Sequence, residues 1–194
     1  MKKIFGLVLA GLIAFGGISY GQEKDAVKNQ VERDAIALSL YEKADLLRRS
    51  AEKSRTAAVT HQSHAAQNRK TADNFENSLR GPSFDRTADY RNAGGLLIKS
   101  GDSEISAARD YAVASSNLTS AIGIYKNFKY KDIEKLEKLL GTDMENVERC
   151  FYQALDDYAK AEEDYSELYG NDLEKQAAAN EKSAKCLETL AGRK

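Results

Sequence analysis

Small apolar residues return at every seventh position along the first third of the chain: Ala37, Ala44, Ala51, Ala58, Ala65 and Ala72. Three residues after each stand Leu40, Leu47, Ser54, His61, Asn68 and Phe75, and Leu79 closes the series. This three-four alternation predicts a helix that meets a partner along one seam. Alanine has almost no side chain to bury. The seam therefore requires the partner backbone to approach near the lower end, about 8 Å, of helix packing distances.

Residues 23–79 contain neither glycine nor proline, and their helix formers predict one helix of about 85 Å at ~1.5 Å per residue. Gly81 and Pro82 end it, since glycine suits a left-handed cap and proline cannot continue the hydrogen-bond ladder. A second helix repeats the device with Ala93, Ser100, Ala107, Ala114 and Ala121 at intervals of seven. Tyr90, Leu97, Glu104, Tyr111, Leu118, Tyr125 and Phe128 fill its alternate slots. Glu104 is a poor core residue, and Gly94, Gly95 and Gly101 predict a kink.

Ile133, Leu136 and Leu140 make a short apolar pattern that Gly141 is expected to stop. Thr142 and Glu145 then read as a capping box for a new helix. Its seam is Met144, Val147, Phe151, Ala154, Tyr158, Ala161, Tyr165 and Leu168. After residues 169–172 the pattern resumes, with slipped phase, as Leu173, Ala177, Asn180, Ala184, Leu187 and Ala191. The fold class is all-α: an elongated antiparallel bundle of three long helices with alanine-rich, coiled-coil-like seams. The alternative is a four-helix bundle with a turn at Gly170. A continuous third arm of about 70 Å would cover both partners, which favours the three-helix version.

The N-terminus changes the picture from fold to address. Lys2 and Lys3 precede the uncharged residues 4–18, and small residues follow at 19 and 21. This reads as an export signal, residues 1–21, cleaved before Gln22. The apolar run is shorter than the ~20 residues of a membrane span, so a retained anchor is the rival reading. Residues 22–194 then form a single helical-bundle domain in the periplasm, or another compartment beyond a bacterial inner membrane. The formal net charge of -1 becomes more negative once Lys2 and Lys3 are gone, which excludes a general attraction to nucleic acid.

Candidate chemistry is sparse. Cys150 and Cys186 are the only cysteines, and two cysteines in an exported chain invite a disulfide. A hairpin at Gly170 would bring them to similar heights, about one helical turn apart, whereas a continuous helix would hold them ~54 Å apart. His61 and His64 share one helix face and could supply two metal ligands, or hold haem with help from neighbouring helices. Polar residues in a seam more often fix register, and that is the preferred reading of His61. Asp156, Asp157, Glu162, Glu163 and Asp164 form an acidic stretch, read as a solvated face or as a docking strip for a basic partner. Lys126, Lys129, Lys131, Lys135 and Lys138 form a basic cluster at one end of the rod. It is a second candidate interaction surface, toward an acidic protein face, another copy, or, less favoured, anionic lipid.

No dinucleotide fingerprint, phosphate loop, nucleophile elbow or zinc-protease motif occurs, and no motif singles out a known family. The expectation is a non-catalytic exported bundle, without cofactor or small-molecule substrate, acting as a scaffold or accessory subunit on another protein or on copies of itself. Two alternatives stand beside it, a metal- or haem-binding periplasmic bundle and a periplasmic holdase chaperone.

Overall fold

A computed structural model of the chain describes residues 26–77, 84–126, 133–166 and 172–192. The described residues are helical in four runs: α1 (Ala26–Asn77), α2 (Phe84–Lys126), α3 (Ile133–Ser166) and α4 (Leu173–Ala191). By helical rise, the 52 residues of α1 span about 78 Å and the 43 residues of α2 about 65 Å. The expected export signal lies outside the described residues. Among those described, no helix is long and apolar enough to cross a membrane.

All six alanines of the first series are buried, none more than 1 % exposed. Their partners are the small residues of α2. Ser100 Oγ donates a 3.0 Å hydrogen bond to the carbonyl of Ala58, which fixes an antiparallel register. Stepping by sevens in opposite directions from that bond pairs Ala51 with Ala107, Ala44 with Ala114 and Ala65 with Ala93. Each of these pairs shares a core cluster. A side chain long enough to reach the opposite backbone has no room in such a seam. Ala58→Leu is expected to cost roughly 1–3 kcal/mol by overpacking, and thermal denaturation of the variant checks it.

α2 runs unbroken through Gly94, Gly95 and Gly101, where the sequence predicts a weak point. These glycines serve packing. Gly94 and Gly101 are buried, and they face the rings of Tyr165 and Tyr158 from α3. A Cβ placed on Gly94 would lie 2.9 Å from Tyr165 Cζ, and one on Gly101 2.7 Å from Tyr158 Cζ. Small residues on α2 thus receive aromatic residues on α3, an arrangement that complements the alanine seam on the other side of α2.

The break expected at Gly141 is also absent. Gly141 and Thr142 lie within α3, and Thr142 Oγ1 donates to the Lys138 carbonyl one turn back rather than capping a new helix. Continuing the helix keeps Leu136 and Val147 on its buried face. The third correction concerns the far end. Asn180 Nδ2 donates to Glu162 Oε1 at 2.9 Å, although along one straight helix these residues would stand about 27 Å apart. Among the described residues α4 therefore folds back on α3 and the chain has four helices; Gly170 itself lies outside the described residues.

The phase of α4 differs from expectation. Leu173, Ala177, Asn180, Ala184, Leu187 and Ala191 are exposed, whereas Ala179 and Cys186 are buried and Leu190 packs against the core. In so alanine-rich a helix several phases satisfy a heptad, and the contacts of Cys186 and Leu190 with the core select the real one.

Candidate functional site

Four residues after the alanines of α1 runs a second heptad row: Tyr41, Arg48, Arg55, Gln62 and Arg69. A row of the same period runs along α3: Leu136, Asp143, Cys150, Asp157 and Asp164. The two rows meet as rungs at a constant offset of 95 residues. Such a constant offset between parallel helices requires both to keep the same repeat. Arg48 Nε donates to both oxygens of Asp143 at 2.8 and 2.9 Å, and its Nη2 adds a 2.8 Å bond. Gln62 Nε2 donates to both oxygens of Asp157 at 3.0 Å. Arg69 Nε stands 2.6 Å from Asp164 Oδ1, and its Nη2 donates to the Lys160 carbonyl at 2.6 Å.

The middle rung differs. Cys150 occupies the acidic position on α3, and Glu104 of α2 supplies the carboxylate, 3.9 Å from Arg55 Nε. The poor core residue of the second seam is thereby explained, because Glu104 completes a ladder of side chains between α1 and α3. Asp143, Asp157, Asp164 and Glu104 are all buried. Buried carboxylates survive only when hydrogen-bonded or paired, and their mispairing in any shifted register is costly. The ladder therefore fixes the register of α3 against α1, the role that sequence reading gave to His61.

Burial, the largest influence, pushes Glu104 and Asp157 above the ordinary carboxylate range. Cys150 and Arg55 draw Glu104 down, and Ser100, Gln62 and Gln153 draw Asp157 down. Asp164 is pushed up to about 6, burial outweighing the pull of Arg69. Its folded value lies above its unfolded value near 3.8, so the folded state holds this proton more tightly. The group's stabilising contribution is full below the unfolded value and is lost as pH rises through about 6. Between pH 7 and pH 4 the natural chain is expected to gain about 2 kcal/mol that Asp164→Asn, a mimic of the neutral acid, does not gain. Urea denaturation of both proteins across that window checks the difference.

Two of the five residues of the acidic stretch therefore leave the expected surface. Asp157 and Asp164 face the core, because their heptad positions point toward α1. Asp156 and Glu163 are exposed, and Glu162 is half-buried against Asn180. Asp156 is also paired with Lys160 within its own helix. Of the basic cluster, Lys135 and Lys138 are exposed. Lys129 and Lys131, and the side chain of Lys126, lie outside the described residues.

Cys150 and Cys186 are free thiols, both buried. The bond between Asn180 and Glu162 sets α4 antiparallel to α3 and places Cys186 level with residue 156. Cys150 is then about 9 Å further along α3, beyond the ~7 Å reach of a disulfide between α-carbons. Of the readings open to this pair, the structure has the free thiols rather than an internal disulfide. Burial, reinforced by the neighbouring Glu104, pushes the Cys150 thiol up to about 12. Burial and Asp102 push Cys186 upward as well. Both thiols stay protonated and are weak nucleophiles.

His61 is half-buried on the flank of α1, and His64 is exposed. Among the described residues no group of three or more His, Cys, Asp or Glu side chains is placed to hold a metal ion. A cleft of about 250 Å³ opens beside the ladder between Gln62, Arg69, Gln153 and Lys160. A second, about 180 Å³ and lined by aliphatic side chains, two tyrosines and Lys135, lies where Leu38 of α1, Tyr125 of α2 and Ile133 of α3 come together.

The ladder was missed in the sequence, although a signal for it existed. Arginine or glutamine recurs at period seven next to the alanine row, and acids recur at period seven on a later helix. Comparison with protein families, curated proteins and solved structures finds no match to this chain.

Proposed function

We propose that the chain is an exported, non-catalytic helical bundle that acts as a scaffold or accessory subunit by binding protein. The observation that carries this reading is the use made of the buried chemistry. The buried acids of the ladder, Asp143, Asp157, Asp164 and Glu104, all lie against α1 side chains that fix the helix register. Residues committed in this way give the bundle a set spacing over long helices and leave its outer faces for partners. Those faces carry isolated large apolar side chains, Val59 and Leu46 on α1, Tyr152 on α3, Leu173 and Leu187 on α4. Such positions suit contacts with another protein better than a concave substrate site.

The export reading rests on the basic start and the apolar residues 4–18. The experiment that tests the function is affinity capture from the native envelope followed by mass spectrometry. One stoichiometric complex is the expected result. A chain that elutes alone from several mild extractions counts against a scaffold.

A further inference from the structure

The smaller cleft lies at the level where α2 ends and α3 begins, because Leu38, Tyr125 and Ile133 all line it. The first residue of α1 precedes Leu38 by twelve positions, so α1 runs on about 18 Å past that level. This stretch of α1 exposes large apolar side chains on several sides: Val31 is 68 % exposed, Ile36 49 % and Leu38 52 %. Val31 precedes Leu38 by one heptad and therefore lies on the same face of α1, which is the face that borders the cleft.

A knob and a hole thus occupy one face, seven residues or about 10 Å apart along the helix. That is the condition for an isologous contact, in which each copy offers the other the same two features in exchange. A two-fold axis perpendicular to α1, running beside it and level with the midpoint between Val31 and Leu38, sets two α1 helices antiparallel and brings each Val31 to the other's cleft. A cavity of roughly 150 Å³ accepts a benzene-sized group, so about 180 Å³ takes a valine side chain. The charges agree with this pairing. Exposed Glu32 adjoins the knob, and exposed Lys135 lines the cleft. The antiparallel arrangement juxtaposes the two across the axis, twice.

We infer that two copies of this chain pair end to end, with Val31 of each seated in the cleft formed by Leu38, Tyr41, Tyr125, Ile133, Leu136 and Leu139 of the other. Glu32 faces Lys135 across the contact. The contact rests on one side chain and one small cleft from each copy, so the expected dimer is a reversible one. This inference deepens the protein-binding reading by naming a second copy as one partner.

Sedimentation equilibrium over a concentration series, on protein purified with whatever maturation export imposes, tests it. The natural chain is expected to dimerise reversibly. Val31→Asp is expected to weaken the dimer at least tenfold with its circular dichroism melt unchanged, because Val31 is exposed in the single copy. Glu32→Lys and Lys135→Glu are each expected to weaken it, and the double exchange to restore most of the loss. A chain that stays monomeric to hundreds of micromolar overturns the inference. So does a dimer indifferent to Val31→Asp, or a monomer that instead co-sediments with phosphatidylglycerol vesicles through these same residues. The two readings fail separately: a dimer without an envelope partner removes the scaffold, and an envelope complex built on a monomer removes the end-to-end pair.

Discussion

Arg48→Met is expected to cost the fold about 3–5 kcal/mol, the usual penalty for stranding one member of a buried ion pair. The Asp143 side chain is 1 % exposed, and Arg48, at 14 %, donates three hydrogen bonds to it. Methionine retains most of the arginine's apolar length, so the packing of α1 is little changed while the carboxylate loses its only cation in the rung. A loss of that size is a large part of the ~5–15 kcal/mol stability of an ordinary domain. The partner change Asp143→Leu, added to Arg48→Met, is expected to recover most of the loss. Well-packed apolar replacements of buried pairs are commonly neutral or stabilising. Chemical denaturation of the two single variants and the double completes a cycle that isolates the pair. If Arg48→Met costs less than about 1 kcal/mol, the carboxylate is reached by water and the ladder is an ordinary surface feature.

That ladder marks the boundary between what the chain announces and what it conceals. The seam of α1 against α2 was legible because it depends on two properties visible in a single strand of text. One is a run without glycine or proline. The other is a period of seven in residues of one size. Neither requires knowing which other helix lies nearby. The rungs depend on a third helix, since an arginine four residues after a seam alanine points to solvent in a two-helix hairpin and to the core in a three-helix group. Asp157 and Asp164 therefore looked like part of a solvated strip, and only the arrival of α3 beside α1 turns them inward.

Cys186 misled for a similar reason. Its height relative to Cys150 is set by the bond of Asn180 to Glu162, a detail of where α4 begins that no periodicity encodes. The same ambiguity hid the phase of α4, in which alanines on every side make each face a plausible seam. The basic cluster is the weakest part of the sequence reading, because only Lys135 and Lys138 have described side chains. Of these, Lys135 acquires a specific place through the smaller cleft it borders.

The glycines of α2 give the sharpest reversal of a sequence rule. In an exposed helix interior, glycine to alanine stabilises by about 1 kcal/mol, because the unfolded chain loses freedom and the helix gains a better former. Gly123→Ala is expected to follow that rule, since a Cβ there meets nothing within 4 Å. Gly101→Ala on the same helix is expected to go the other way, with a net loss of roughly 1–2 kcal/mol once overpacking is set against the helix gain. The added methyl would meet Tyr158 carbons at 2.7 and 2.8 Å. The ring cannot simply swing aside, because Tyr158 is 2 % exposed and its hydroxyl donates to Asp102 at 2.8 Å. The test of cause is a second background. In Tyr158→Leu, itself destabilised by the lost ring, adding Gly101→Ala is expected to be neutral or stabilising, because the obstructing carbons are gone. If Gly101→Ala instead stabilises the natural chain as much as Gly123→Ala does, α2 and α3 do not approach through these glycines. The register of the aromatic row on α3 would then have to be sought elsewhere.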